Sequence, residues 1–203
     1  MSFVYGSVMR LPNLVILSLL AVLAGCTAER MVLVPKSAAI PVGVDFSGQW
    51  QLREDSADTV REITEAERKA AGGDERIVPT PDHTTKNKRR RRSDGTLVHV
   101  FLETGNSLKV TQTVDGLFIS FDRAVVEEYR FGEHRQINVG PVEAERVSGW
   151  EGSTYVIETL DREGAKLIET YRLGDGDRRL LRTIRIDHDE NSHLDIAQAF
   201  DRR

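Results

Sequence analysis

The chain has 203 residues, a formal net charge of −4 and one cysteine. A chain of this length can bury a sizeable core within one domain. Its mild acidity argues against nucleic acid as a partner, and an aromatic content of 6% argues against a broad aromatic binding cleft. A lone cysteine leaves no disulfide within the chain, so the domain must be held together by its core.

Residues 1–25 have the pattern of a signal peptide. An apolar run from Leu14 to Leu23, interrupted by Ser18, is followed by small residues. This run is too short for a membrane-spanning helix. A signal peptide begins with a basic charge, and Arg10 supplies one only if translation starts near it, which favours Met9 over Met1 as the start. We therefore predict that residues 1–25 are removed on export.

The signal ends in Leu23-Ala24-Gly25-Cys26, which resembles the lipobox of bacterial lipoproteins. The resemblance implies that the Cys26 thiol carries diacylglycerol and that the new amino terminus is acylated, with palmitate as the expected acid. Thr27 rather than Asp follows the cysteine, which in this family implies the outer membrane. The expected location is the outer membrane facing the periplasm, or the outer face of the plasma membrane where no outer membrane exists. The alternative is an ordinary core cysteine.

Three segments follow Cys26. Residues 26–44 contain Pro35 and Pro41 and have little periodicity, so we expect a tether between lipid and domain. Residues 56–71 have apolar side chains every three to four positions and stop at a Gly-Gly pair, which predicts a helix. Residues 74–95 are expected to form a flexible loop. Its basic run Lys86–Arg92 is a candidate for contact with anionic lipid head groups, or else only a solvated loop.

The rest of residues 45–203 reads as short strands separated by turns. Leu108 and Val110 alternate with polar residues, Asp115-Gly116 forms a two-residue turn, and Leu117 and Ile119 alternate again. Asp-Gly between alternating runs is a strong hairpin signal. Parallel strands need long crossovers, which are absent from the pattern. We therefore predict an all-β fold, an antiparallel meander closing into a barrel of about eight strands with one inserted helix.

The first strand carries Gly48-Gln49-Trp50, and this motif resembles that of the lipocalins and the wider calycin superfamily. The resemblance implies a lipocalin-like barrel in which the tryptophan plugs the floor and packs on an arginine from the last strands. Arg182 or Arg185 is expected to fill that place. The same start together with Gly149-Trp150-Glu151-Gly152 is similar to uncharacterised bacterial lipoproteins and implies no activity. Trp50 and Trp150 are candidate ligand-binding residues, with plain core packing as the alternative.

Two sets of polar residues are candidates for a chemical site. Asp187–His193 begins like a calcium loop but has Ser192 and Gln198 where Gly and Glu are needed, so we expect a solvated turn and no metal. Glu158 and Glu169 lie on two similar segments expected to form one hairpin. Outer-face ion pairs are expected for them, and pairing with Arg172, Arg182 or Arg185 inside the barrel is the alternative.

The sequence contains no triad order, phosphate-binding loop or redox pair, so no catalytic residue and no cofactor are expected. The leading hypothesis is a lipid-anchored envelope module that binds a hydrophobic or amphipathic small molecule. The alternative is a structural lipoprotein with a filled barrel that contacts another envelope protein through the helix and the basic loop. A hydrolase using Glu or His is a third, weaker hypothesis. A hollow interior, a filled interior or converging ionisable groups would distinguish the three.

Overall fold

Ten antiparallel strands form one sheet in the computed structural model, which describes residues 31–70, 97–188 and 191–203. The all-β prediction is confirmed, but the strand number is ten rather than about eight, because the turns at Gly132 and Gly140 each separate two full strands. The strands, in chain order, are β1 (Gly48–Leu52), β2 (Ser107–Gln112), β3 (Gly116–Phe121), β4 (Val125–Arg130), β5 (Glu133–Val139), β6 (Val142–Glu151), β7 (Thr154–Asp161), β8 (Lys166–Gly174), β9 (Arg179–His188) and β10 (Asn191–Arg202).

The sheet curls into a nearly closed barrel. Its strand order is β4-β3-β2-β1-β10-β9-β8-β7-β6-β5. The strands that come first and last in the chain, β1 and β10, are therefore neighbours, and Trp50 pairs with Arg202. The two ends of this order, β4 and β5, meet at a seam that side chains bridge. Ser148 Oγ donates to the Arg130 carbonyl at 2.7 Å, and Arg135 Nη2 donates to the Glu128 carbonyl at 3.0 Å. The predicted closure is therefore completed by side chains rather than by a ladder.

One α-helix, α1 (Asp58–Ala70), is inserted between β1 and β2, which confirms the helix predicted at 56–71. A 3-10 turn at Glu54–Ser56 precedes it, and a 3-10 segment at Leu97–Phe101 leads into β2. Ile63 is fully buried and joins α1 to the barrel. The flexible loop predicted at 74–95, with its basic run Lys86–Arg92, lies entirely outside the described residues.

Two apolar clusters fill the barrel because alternate strand residues point inward. The aromatic cluster lies around β1, β3 and the start of β7, and it includes Phe46, Trp50, Phe121, Trp150, Tyr155 and Phe200. The aliphatic cluster lies under α1 and the 3-10 segment, and it includes Ile63, Val98, Leu167, Ile184, Ile186 and Ile196. Residues Met31–Arg203 form one compact unit that contains both clusters.

Residues 31–44 run along the barrel, although residues 26–44 were predicted to be a tether. Ser37 exchanges two backbone hydrogen bonds with Trp150, at 2.8 and 3.3 Å, and so pairs with β6 just beyond the first residue of β5. Leu33 is buried, and Lys36 Nζ lies 3.1 Å from Glu158 Oε1. We call residues 31–40 the N-terminal arm. From Leu33 onward this segment is held against the domain by backbone and ion-pair contacts.

None of the helices in the described ranges is long and apolar enough to cross a membrane.

Candidate functional site

Trp50 closes one end of the barrel. Its ring is fully buried, its Nε1 donates to the Phe46 carbonyl at 3.0 Å, and the Arg202 guanidinium lies 4.2 Å from the ring centroid. The arginine expected from the resemblance is therefore Arg202 of β10, and the expectation of Arg182 or Arg185 was wrong. The register of β1 against β10 explains the difference, because it sets Arg202 directly opposite Trp50. Arg185 lies on the outside and pairs with Asp187 at 2.8 Å.

Trp150 belongs to the same aromatic cluster. Its ring centroid lies 5.3 Å from that of Phe46, 5.4 Å from Phe131 and 5.2 Å from Tyr155. Trp150 Nε1 is buried and has no hydrogen-bond partner in the described part of the chain. A buried indole N–H usually finds an acceptor. Both tryptophans thus lie in the core, and their contact with a ligand stays a prediction.

A layer of buried charge separates the two apolar clusters. Arg182 of β9 is fully buried and forms an ion pair with Glu169 of β8. The same guanidinium donates to Gln198 Oε1 at 3.2 Å and to the Glu103 carbonyl at 2.8 Å. Burial alone would lower the pKa of Arg182, but Tyr171 and Glu169 beside it raise that pKa above its ordinary value. The side chain therefore stays charged inside the barrel.

A second buried arginine lies on the seam side of this layer. Arg146 of β6 is 5% exposed, and its Nε donates to Thr159 Oγ1 at 3.0 Å. Its Nη1 lies 3.4 Å from Glu127 Oε2 of β4, and its guanidinium lies 5.3 Å from the Tyr129 ring centroid. Arg146 thus joins β6 to β4 across the seam. We call Arg146, Arg182, Glu127 and Glu169, with their tyrosine neighbours, the charge layer.

The charge layer continues toward α1 as two carboxylates that form no ion pair within the described residues. Glu103 follows the 3-10 segment, Glu67 lies on α1, and both are only partly buried. Burial, and then the charges of Glu127 and Glu169, raise the pKa of Glu103. Burial, and then the charge of Glu103, raise the pKa of Glu67. We call this row, Glu67, Glu103 and Glu127, the acidic mouth.

Side chains occupy the lumen at the level of the charge layer. The Arg182 guanidinium lies 5.1 Å from the Phe121 ring centroid of β3 and 5.5 Å from that of Tyr171. Contacts between β9 and β3 cross the barrel, and Tyr129 and Tyr171 are each 1% exposed. Burial raises the pKa of both tyrosines well above the usual value. Side chains therefore leave no open space for a ligand at the level of Arg182.

Glu158 and Glu169 lie on the predicted hairpin but on opposite faces. The register pairs Ile157 with Glu169 and Glu158 with Ile168, so one carboxylate points out and the other points in. Glu158 follows the outer-face expectation, with Lys36 at 3.1 Å and Lys166 at 2.9 Å. Glu169 instead takes the interior alternative with Arg182. The outer-face expectation was therefore wrong for Glu169.

The acidic mouth and Arg146 were not predicted from the sequence, whereas Arg182 was named as one of three possible interior partners of Glu169. The alternation of apolar and polar residues along the strands does indicate which charges are buried. Arg182 occupies the apolar phase of Leu180 and Ile184, and Glu169 occupies that of Leu167 and Tyr171. A charge in the inward phase of a strand indicates a buried, paired group. No comparable pattern marks Glu67 or Glu103, which depend on how α1 packs.

Two further candidates from the sequence are the Asp187–His193 segment and Cys26. Asp187 and His188 end β9 and face Ser192 and Asn191 of β10, so the segment is the turn between the last two strands. Residues 189 and 190 at its tip lie outside the described ranges, as does Cys26. The lipidation predicted for Cys26 stays a prediction.

No family model and no curated protein sequence matches this chain. Solved structures with a similar arrangement of strands exist at low identity. A secretory abundant heat soluble (SAHS) protein from Ramazzottius varieornatus is 10% identical in sequence and has a TM-score of 0.47. The match covers 81% of this chain and 100% of that one. Apo lipid binding protein 8 from Caenorhabditis elegans is 11% identical in sequence and has a TM-score of 0.45, and the match covers 81% of this chain and 100% of that one.

A fatty acid binding protein from Schistosoma mansoni, solved with arachidonic acid, is 12% identical, with a TM-score of 0.41, over 78% of this chain and 96% of that one. At these identities and TM-scores the likeness concerns the fold, and the neighbours add nothing on function.

Proposed function

We propose that the protein is a lipid-anchored envelope module that binds one amphipathic small molecule at the acidic mouth. The observation that carries this proposal is the charge layer inside the barrel. Buried ion pairs contribute little net stability compared with well-packed apolar residues. As a pair, Arg182 and Glu169 therefore add little stability that apolar residues could not supply. Clustered perturbed groups in a protein interior indicate a functional site.

The acidic mouth indicates which end of the ligand lies there. Within the described residues, Glu67 and Glu103 have no cationic partner, while Arg182 is already paired with Glu169. A head group that donates hydrogen bonds, such as an amine, would supply the missing partner. Ile63 lies one helical turn before Glu67, on the same face of α1 and in the aliphatic cluster. The apolar part of the ligand would follow that cluster.

Mass spectrometry of an organic extract tests this proposal. The chain from Thr27 onward, which contains the whole compact unit, is purified from a bacterial host without its anchor. A stoichiometric amphipathic molecule is expected in the extract. It should be lost in Glu67→Gln/Glu103→Gln and retained in Glu62→Gln/Glu65→Gln, which changes the exposed face of the same helix. Equal loss in both variants would contradict a site at the acidic mouth.

The predicted role of the tryptophans is tested on the same protein. Trp150→Phe retains an aromatic ring beside Phe46 and removes Nε1, for which the described residues supply no acceptor, together with part of the indole ring. Loss of the molecule from this variant would support a direct contact with the Trp150 side chain. Retention would assign Trp150, like Trp50, to the core alone.

A filled barrel that contacts another envelope protein is the second candidate, and a specific observation favours it. Arg182 reaches Phe121 across the lumen at 5.1 Å, so side chains fill this level of the barrel. An empty extract from a folded, monodisperse protein would support this candidate. Crosslinking from α1 and from the basic run Lys86–Arg92 would then identify the partner. For both candidates the proposed role is binding rather than catalysis.

The anchor and the location belong to the proposal too. The lipobox ending at Cys26 supports acylation, and Thr27 supports the outer membrane. Intact mass of the membrane-extracted chain should show cleavage before Cys26 and three acyl chains. Cys26→Ser should leave an unacylated, uncleaved chain. Fractionation of the two membranes then distinguishes outer from inner location. The run Lys86–Arg92 stays a proposed contact for anionic head groups.

A further inference from the structure

The outer face of β1–β4 carries a hollow that is separate from the acidic mouth. Its volume is about 460 Å³, and its lining includes Lys109, Arg123, Arg203, Phe118 and Val126. The register places Lys109 between Gln49 of β1 and Ser120 of β3, and Ser120 pairs with Val126 of β4. Arg203 N donates to the Gln49 carbonyl at 2.9 Å and so extends this row. We call this feature the outer hollow.

The lining of the outer hollow contains three basic side chains and no acidic one among the described residues. Lys109, Arg123 and Arg203 form no ion pair within the described part of the chain. Three acidic side chains of these strands and turns have other partners. Asp122, next to Arg123, accepts bonds from the backbone N–H groups of Asn106 and Ser107. Asp201 pairs with Arg53 at 3.0 Å, and Glu128 pairs with Arg130 at 3.2 Å. The Lys109 and Arg123 side chains therefore face solvent without an ion-pair partner among the described residues.

Arg123 is held at the rim in an unfavourable backbone conformation. Asp122 and Arg123 have φ angles of 48° and 61°, which form a left-handed hairpin turn between β3 and β4. Glycine is the usual second residue of such a turn, because a side chain strains it. Asp122 secures the turn by accepting bonds from the backbone N–H groups of Asn106 and Ser107, at 3.0 and 2.7 Å. An observed outlier of this kind supports a functional role for the residue.

Apolar side chains lie beside these cations. Phe118 is 38% exposed and Val126 is 63% exposed, and both lie on the outer face of adjacent strands. A soluble phosphate needs only cations and hydrogen-bond donors. A membrane surface presents anionic groups next to apolar acyl chains, which matches cations beside exposed apolar residues. We propose that the outer hollow docks on the anionic lipid head groups of a membrane. This inference is independent of the ligand proposed at the acidic mouth.

Vesicle flotation tests this docking with the chain from Thr27 onward, which has no acyl anchor. Vesicles of phosphatidylcholine containing phosphatidylglycerol should bind the protein, and pure phosphatidylcholine should not. Each Lys or Arg near an anionic surface strengthens binding by about fivefold. Lys109→Gln/Arg123→Gln should therefore weaken binding by more than tenfold overall, about fivefold for each cation removed.

A charge-matched control distinguishes the contribution of the outer hollow to vesicle binding from the contributions of net charge and of the basic run Lys86–Arg92. Arg61→Gln/Arg172→Gln removes two exposed cations outside the hollow, and Lys86–Arg92 is intact in both variants. This control is expected to bind within about twofold of the parent, less than the loss of a single cation at the surface. Equal losses in both variants, or no binding to phosphatidylglycerol vesicles, would overturn the proposal.

Two further variants test the strain and the apolar contact. Arg123→Gly should stabilise the turn, raising the unfolding midpoint, while vesicle binding falls by about fivefold. A folding defect cannot produce that combination. Phe118→Ser should weaken binding, whereas Val114→Ser, at an exposed residue of the β2–β3 turn, should not. Displacement by glycerol phosphate beyond that by sodium chloride of equal ionic strength would assign the site to a free phosphate and overturn membrane docking.

Discussion

The guanidinium of Arg202 lies 4.2 Å from the centre of the Trp50 ring, and it donates from Nη1 to the Ser47 carbonyl at 2.7 Å and from Nε to the Asp177 carbonyl at 2.9 Å. This one side chain holds the first strand, the last strand and the β8–β9 turn together. Gly48 makes the approach possible, because a Cβ there would lie 2.8 Å from Arg202 Nη1.

Replacing Arg202 by Met should therefore destabilise the barrel. The cation–π contact and two hydrogen bonds are lost, which corresponds to about 1–3 kcal/mol. Urea unfolding followed by tryptophan fluorescence measures the change. Arg203→Gln is the matched control, because it is adjacent and its side chain makes no bond within the described residues, so it should stay within about 0.5 kcal/mol of the parent. Equal effects would show that Arg202 contributes through charge alone.

Arg182 and Glu169 should show strong energetic coupling. Arg182→Met leaves the Glu169 carboxylate buried without a cation, and this should reduce the unfolding free energy by about 3–5 kcal/mol. Glu169→Met should have an effect of similar size for the reciprocal reason. The double variant should lose clearly less than the sum, because neither charge is then stranded. Additive losses in this double-mutant cycle would mean that the two groups do not stabilise one another.

The acidic mouth should make stability depend on pH in a definite direction. The pKa values of Glu67 and Glu103 are raised in the folded state, so the folded chain binds protons more tightly than the unfolded chain. The contribution of these two groups to the unfolding free energy should thus be fully present below the ordinary glutamate pKa and be lost as pH rises through the raised values. Glu67→Gln/Glu103→Gln should flatten this decline in urea titrations over pH. An unchanged slope would contradict the assignment.

The N-terminal arm should detach when Gly149 gains a side chain. A Cβ at Gly149 would lie 2.5 Å from the Ser37 carbonyl oxygen and 2.7 Å from Lys36 Cβ. Gly149→Ala should therefore speed amide exchange at Ser37 and Trp150 and expose residues 31–40 to proteolysis. Gly152→Ala is the control, since Gly152 also has a positive φ, of 58°, but has open space around it. Protection of the arm that is equal in both variants would mean that the arm is held elsewhere.

Local patterns in the sequence predicted the elements, whereas long-range register determined the site. The helix at 56–71 depends on neighbouring residues and was found where expected. The β2–β3 hairpin was found too, but its two turn residues are Val114 and Asp115, one position earlier than predicted, because Gly116 pairs with Thr113 as the first residue of β3. The partner of Trp50 depends on which residue of β10 lies opposite, and alternation alone does not specify that register. For the same reason the opposite faces of Glu158 and Glu169 were not predictable from their similar surroundings. Glu67 and Glu103 come together only through the docking of α1.

The pairing of β1 with β10 also constrains the order of assembly. Trp50 and Arg202 are far apart in the chain, yet their strands are neighbours. Any process that delivers the chain from its amino terminus, such as synthesis on a ribosome or threading through a translocation pore, releases β10 last. Until then β1 has an unpaired edge and Trp50 lacks its arginine, so the intermediate presents a strand able to pair with other chains. A chaperone that shields β1 during this interval would suppress aggregation without binding the finished barrel.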